Sequence, residues 1–347
     1  MFMASFFAEI APLAKSCAHF TAVPPGRAKA CCYGPKPVKL LLVVNATASS
    51  VTARVRTVIA KALAADHDVE VVDTNRRGHA SRLAADAAAG GVDVVVVLGG
   101  DGTLNEAANG LVGSSTALAT LPGGSTNVFA RTLGLPNDAV EATGQLLAAL
   151  EERSVQRVGL GSVNGRYFLF HVGIGFDAAV VERVERRSHL KRVAGHPWFA
   201  WSALTTWFRH YDHRVAAFAV HLGDGTVVDD GYLTICLNTD PYTYFGPRAL
   251  SVAPHASLDR PLSVLTLRSL RLGVALGLVA RALRGGDAAG HSRWVELADN
   301  QESLTVAAYR PIPHQVDGEY LGLAESFTVR HHPGVLDLVV PPSPDGI

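Results

Sequence analysis

A run of four valines passes straight into a glycine turn in Val94–Leu111, VVVVLGGDGTLNEAANGL, with Asp101 standing between the glycines. Gly99, Gly100 and Gly102 at the end of a strand leave backbone N–H groups uncovered, and a helix starting just beyond them points its positive end the same way. That combination suits an anion, above all a phosphate. Bare phosphate would repel an acid, so Asp101 implies a divalent cation between the two: Mg²⁺ favours one or two carboxylates plus phosphate oxygens. Thr103 and Glu106 have the T-x-x-E spacing of a capping box, which predicts a helix beginning after Thr103. A tight strand-to-helix turn that holds no ligand would use the same glycines.

The design recurs. LPGGSTNVFART, Leu121 to Thr132, again has a strand end, two glycines (Gly123, Gly124), hydroxyls at Ser125 and Thr126, and Asn127 opening a helix. Neither turn is a P-loop, since no G-x-x-x-x-G-K-[ST] occurs, and G-x-G-x-x-G fails at Asn105. Two such turns at the carboxyl ends of strands in one sheet can face a common crevice, where α/β proteins bind ligands.

The elements needed to hold them are legible. KLLLVVNA from Lys39, HDVEVVDT, VDVVVVLGG and ALATLP read as strands, the third without polar alternation. Helical segments lie between them at Val51–Ala65, His79–Ala89 and Asn105–Leu111, followed by Val128–Leu150. Continuous aliphatic strands alternating with helices predict a parallel, Rossmann-like sheet covered on both faces. After about residue 156 strands are parted by Gly, Asn and Asp turns, which predicts an antiparallel β domain with helices at about 178–209 and 268–284. The segment HQVDGEYLG is bracketed by the last strand pair.

The 347-residue chain carries 31 basic and 31 acidic residues, which offers no electrostatic case for nucleic acid. No apolar run nears the ~20 residues of a membrane-spanning helix. Cys17, Cys31, Cys32 and Cys236 form neither a disulfide framework nor a zinc-site spacing, and a reducing compartment is expected. The N-terminus makes a poor secretory signal; residues 1–37 are expected to be a disordered extension or a mis-assigned start.

GGDGTLNEAANGL followed by PGGSTN resembles the diacylglycerol kinase catalytic-domain family of bacterial lipid kinases, relatives of the sphingosine and ceramide kinases. The resemblance runs from about Lys39 to Pro342 and takes in NATASS at Asn45–Ser50, TNRRGHASRLA from Thr74, GIGFDAAV at Gly173–Val180, YFGP at Tyr244–Pro247 and VDGE at Val316–Glu319. It implies an α/β nucleotide-binding domain at 38–155 and a β-sandwich lipid-substrate domain at 156–330. The active site would lie in the cleft between them, with 331–347 returning to pack on the first domain.

By the same resemblance the protein is expected to be an ATP- and Mg²⁺-dependent lipid kinase acting on a lipid hydroxyl, diacylglycerol first. Sphingoid bases and ceramide stay open as acceptors. Asn45, Thr74, Gly99, Gly100, Gly102, Thr103, Glu106, Gly123, Gly124, Ser125, Thr126 and Asn127 would line the nucleotide. Asp317 would act as general base with Glu319 near the transferring phosphate, and Asp101 would organise magnesium. The base could instead be Asp101. Asp177 and Lys191 are assigned to the substrate or the metal network, with helix capping as the alternative for Asp177. The enzyme would be cytoplasmic and meet its lipid at a membrane surface; a homodimer stays open. An NAD kinase is disfavoured by PGGSTN and VDGE. A catalytically silent lipid-binding protein on the same fold is kept by three departures from the family pattern: Val128 where relatives carry an aspartate, Ala46 in the first turn, and Asp259-Arg260-Pro261-Leu262 in place of paired acids.

Overall fold

The computed structural model of the chain describes residues 37–186, 215–285 and 292–341. Lys191 and the aromatic stretch from Trp198 to Phe208 lie outside the described residues.

Four parallel strands form one end of the sheet. β1 (Lys39–Val44) sits between β2 (Asp68–Asp73) and β3 (Val94–Gly99), and β4 (Ala117–Pro122) flanks β3. Alternate residues of these strands point to opposite faces, and both faces of β1, β3 and β4 are covered, which is why those three are almost wholly apolar while the edge strand β2 is not. Leu40, Leu42, Val44, Val94 and Val96 pack against α1 (Ala53–Leu63) and α5 (Ala139–Glu152). Leu41, Val43, Val95 and Val97 pack against α2 (His79–Ala89) and α3 (Asp101–Leu111). Thr52 caps α1 by accepting from the Val55 amide, and Asp138 caps α5 by accepting from Val140 and Glu141.

The start of α3 corrects the capping-box expectation. The helix begins at Asp101, directly after β3, with Gly100 as its N-cap and no side-chain cap. Glu106 turns instead to the neighbouring helix, accepting from the Gly78 N–H at 2.8 Å and the Ala80 N–H at 3.2 Å at the start of α2. Two helices packed side by side let an acid from one cap the other.

The rest of the described chain is antiparallel and strand-rich. β5 (Val155–Val163) and β6 (Arg166–Phe168) form a hairpin, followed by β7 (His171–Gly175) and the helix α6 (Phe176–Arg186). β8 (Phe218–Leu222), β9 (Val227–Gly231) and β10 (Leu233–Leu237) precede a short hairpin, β11 (Thr243–Phe245) and β12 (Arg248–Leu250). β13 (Leu262–Leu267), α7 (Leu272–Ala282), β14 (Val295–Gln301), β15 (Ser303–Val316) and β16 (Glu319–Val339) complete it. Inner faces of these strands share one apolar cluster that includes Phe168, Val172, Phe218, Val264, Val306 and Phe327.

β16 joins the two parts. It runs antiparallel to β15, then beside β5, and ends with Leu338 parallel to Leu118 of β4. The cluster under α2 and α3 accordingly contains Val158, Leu160, Leu336 and Leu338 as well as β1 and β3 side chains, so apolar packing crosses residue 155 without a break.

Candidate active site

The two glycine turns meet each other. Gly123 N–H donates to Gly99 O at 2.8 Å. A Cβ on Gly123 would lie 2.9 Å from Gly99 Cα, and one on Gly124 would lie 2.8 Å from Gly100 Cα. At these positions it is the facing turn that forbids a side chain, where the sequence suggested an approaching phosphate. Gly102 differs: nothing lies within 4 Å of where its Cβ would be, and it borders the cleft.

Polar side chains lock the pair. Asp101 accepts from the Val128 N–H at 3.0 Å and the Phe129 N–H at 3.1 Å, so the acid of the first turn holds the helix that follows the second, α4 (Val128–Thr132). Asn127, 3% exposed and at φ +50°, accepts from Gly124 N–H at 2.7 Å and donates to Asn137 at 2.7 Å. It lies beneath the turn and does not line the cleft. Asn45 donates to Thr103 Oγ1 at 2.9 Å, tying the end of β1 to α3. The Thr74 amide bonds Val44 O at 2.8 Å, away from the cleft wall.

The third turn arrives from the far end of the chain. β15 and β16 form a hairpin whose two-residue loop is Asp317-Gly318, both with positive φ (+47° and +78°), the geometry that Asp-Gly loops favour. Asp317 is 4% exposed. Its Oδ2 accepts from Asn105 Nδ2 and the Leu169 N–H, both at 2.7 Å. Its Oδ1 accepts from the Phe170 N–H at 3.0 Å and the His171 N–H at 3.1 Å. Burial pushes the carboxyl up to about 6, against the pull of those four donors.

Neighbouring groups hold this turn in place. Gln315 accepts from the Gly318 N–H at 2.7 Å and donates to Asp177 Oδ2 at 2.8 Å, while Tyr242 donates its hydroxyl to Asp177 Oδ1. Asp177 is buried behind the cleft wall, where desolvation raises its carboxyl above the usual range. Glu319 pairs with both Arg77 and Arg166, and Arg166 also donates to Asn105 Oδ1 at 3.0 Å. His171 is enclosed, its Nδ1 has no hydrogen-bond partner, and burial drops its pKa to about 3, which keeps the ring neutral. Across the cleft the Arg131 guanidinium lies 3.6 Å over the Tyr244 ring and donates to Gly246 O, linking α4 to the β11–β12 hairpin.

All three turns open on one cleft of about 660 Å³. Of the residues singled out from sequence, Asn45, Gly100, Asp101, Gly102, Thr103, Glu106, Gly124, Ser125, Thr126, Asp317 and Glu319 line it. Gly99, Gly123, Asn127 and Asp177 support it from behind, and Thr74 lies off its wall. Sequence reasoning passed over Arg77, Arg166, Gln315, Tyr242 and His171. Asn105, noticed only as a break in a glycine pattern, proves to bridge α3 to Asp317 across 212 positions. Five carboxylates (Asp101, Glu106, Glu185, Asp317, Glu319) and one guanidinium, Arg77, are among the groups lining the cleft. No group of three or more His, Cys, Asp or Glu among the described residues could by itself hold a metal ion. A magnesium site built wholly from protein around Asp101 therefore finds no support. The acid-rich lining does fit a cation that arrives on phosphate oxygens, because a polyphosphate alone would be repelled.

Residues 39–163 match the diacylglycerol kinase catalytic domain. A "Probable lipid kinase YegS-like" protein of Pseudomonas aeruginosa (strain UCBPP-PA14) is 33% identical over 169 residues, 48% of this chain and 53% of that protein. The chain thus spans about half the length of the first curated relatives it matches. A diacylglycerol kinase of Staphylococcus aureus (strain JH9) is 27% identical over 74% of this chain and 78% of its own length. Among solved structures, a diacylglycerol kinase from Bacillus anthracis str. Sterne superposes with a TM-score of 0.64 at 22% identity, covering 89% of this chain and 98% of that one. An NAD kinase from Archaeoglobus fulgidus in complex with ATP superposes with a TM-score of 0.50 at 15% identity, covering 87% and 94%. The last two likenesses establish the fold: parallel N-terminal strands joined to an antiparallel, strand-rich C-terminal part. The match to the diacylglycerol kinase catalytic domain is confined to residues 39–163, about a third of the chain.

Proposed function

We propose that the protein is a lipid kinase that transfers the γ-phosphate of Mg-ATP to a lipid hydroxyl, with diacylglycerol as acceptor and phosphatidic acid as product. One observation carries this reading: two glycine turns of the family domain and the Asp317-Gly318 turn, more than 190 residues on, line the same cleft. Gly102, Thr103, Ser125 and Thr126 offer backbone N–H and hydroxyl groups to phosphate at the N-terminus of α3. Arg77, held by Glu319, supplies the positive charge. Asp101 is the residue that would hold magnesium, whose contribution is to offset phosphate charge.

The acceptor oxygen attacks the γ-phosphorus, the bond to the bridging oxygen breaks, and ADP leaves. The hydroxyl proton goes to Asp317, which burial makes a stronger base than an ordinary carboxylate while leaving it ionised at neutral pH. Asn105 and the three backbone amides position the carboxylate. A silent lipid-binding protein is the second reading, because those donors already fill the roughly four lone-pair sites of Asp317.

Transfer of labelled γ-phosphate from Mg-ATP into mixed micelles decides between them. The micelles would carry diacylglycerol, sphingosine, ceramide or total bacterial lipid. Label is expected in diacylglycerol, reduced by about a hundredfold or more in Asp317→Asn. ATP binding without label in any lipid would leave the silent reading.

A further inference from the structure

The helix α7 (Leu272–Ala282), LGVALGLVARA, has no charged residue before Arg281. A helix on a protein surface ordinarily turns a polar face to water. Here Leu276 is 59% exposed, Leu272 and Val279 are 43% exposed, and Leu283 just past the helix is 38% exposed. Spacings of four, three and four place them in one stripe along the helix. Only Leu278 and Ala282 are buried, and they belong to the apolar cluster that also holds Tyr242, a wall residue of the cleft.

Charge completes the surface. Between Arg268 and Gly285 the chain has four arginines and no acid. Arg268 is engaged by Asp230. Arg271 and Arg284 are exposed at the two ends of the stripe, and Arg271 and Arg293 both lie over the half-buried Trp294 ring, at 5.2 and 4.6 Å from its centroid. Aliphatic stripe, arginines and a tryptophan with a polar edge are the groups that settle at a lipid–water boundary.

We propose that α7 and its flanking arginines form the face by which this protein lies on an anionic lipid bilayer. The helix has 11 residues, too few to cross, so it would rest in the headgroup region. A second copy of the chain is a poorer occupant, since a two-fold contact along α7 would set arginine against arginine, Arg271 facing either Arg271 or Arg284 of the other copy. Anionic headgroups supply the opposite charge. The lipid-kinase reading explains why the protein would visit a membrane; the docking itself is measurable without ATP.

The test is co-sedimentation of the full chain with phosphatidylcholine vesicles, with and without phosphatidylglycerol. Wild type is expected to bind the anionic vesicles. Leu276→Glu with Val279→Glu, or the milder Leu276→Ser, should weaken binding, the double variant about tenfold or more, with urea unfolding unchanged. Arg271→Gln and Arg284→Gln should each cost about fivefold on anionic vesicles only. Wild type that ignores vesicles, or a double variant that binds like wild type, overturns the proposal. So does a wild-type dimer in sedimentation velocity that the double variant abolishes while neither protein binds vesicles. Absence of label transfer would defeat the kinase reading and leave the vesicle result standing.

Discussion

The glycine turns and the Asp317 turn border the same cleft but are held by different means. At Gly99–Gly100 and Gly123–Gly124, two stretches of bare backbone sit in contact, and each turn is shaped by the strand before it and the helix after it. At Asp317 the turn is a hairpin loop tied by donors from elsewhere: Asn105 on α3, the amides of Leu169, Phe170 and His171, and Gln315 beneath Gly318. At Gly123 and Gly124 the first arrangement leaves no room for an added atom. The second tolerates no lost partner, because a buried carboxylate without its donors is costly. Steric closeness, backed by Asp101 and Asn127, makes one half of the cleft rigid, and polar saturation alone makes the other so.

Removing the charge of Asp317 tests this contrast hardest. Asp317→Asn keeps the size but turns an acceptor oxygen into a donor facing the amides of the loop. On the proposed function, transfer activity should fall about a hundredfold or more, whereas ATP affinity, which that reading assigns to the glycine turns, should stay within a few-fold. Wild-type kcat/KM should rise with pH through about 6, since the base works ionised and burial has raised its carboxyl to that value. An acidic limb near pH 4 would mean that another group takes the proton. Stability should move the other way. A raised carboxyl keeps its proton in the folded protein over a range where the unfolded chain has lost it, so this group's contribution declines as pH climbs from about 4 to about 6.

The glycine half gives a smaller and different response. In Gly124→Ala the new methyl meets Gly100 Cα at 2.8 Å, backbone against backbone, so the turns must separate. A loss of about 1–3 kcal/mol in urea unfolding is expected, together with weakened ATP binding. Gly102→Ala has open space and an ordinary helical backbone, so its unfolding midpoint should match wild type or rise slightly while nucleotide affinity falls. If both variants lose the same stability, the distinction between turn-facing and cleft-facing glycines is wrong.

The same contrast marks how far the sequence could be read. The parallel strands and their helices were legible because an all-aliphatic strand buried on both faces leaves a local signature, as in Val94–Leu98. The glycine turns were legible as turns, but not as turns facing each other: the partner of Gly124 is Gly100, and no local pattern names it. Likewise the T-x-x-E of Thr103 and Glu106 suggested a cap for its own helix, and packing redirected the acid to α2. Asp177 and Asn105 acquire their roles from residues 138 and 212 positions away, through Gln315 and Asp317. Spacing along the chain carries no trace of such pairings. Family resemblance brought Asp317 into view; its four donors came only with the fold.

Asn105 connects the two halves, and Asn105→Ala should weaken Asp317 without touching it. Losing one donor to the ionised carboxylate shifts its equilibrium further toward the protonated form, and a hydrogen bond to a charge is worth about 1.5–3 kcal/mol. The acidic limb of kcat/KM should therefore move up by about one to two units. A purely structural role would lower kcat at every pH without shifting the limb.

Glu106→Ala probes the least demanding contact. Gly78 and its amide lie at the exposed start of α2, so water can replace much of what the carboxylate gives. A cap of this kind is worth about 1 kcal/mol. The unfolding free energy should drop by that much while ATP affinity holds, because both carboxylate oxygens face α2. Unchanged stability with lost ATP affinity would instead place Glu106 on the ligand. The cleft would then depend on a side chain at a point where backbone contact between the turns is held sufficient.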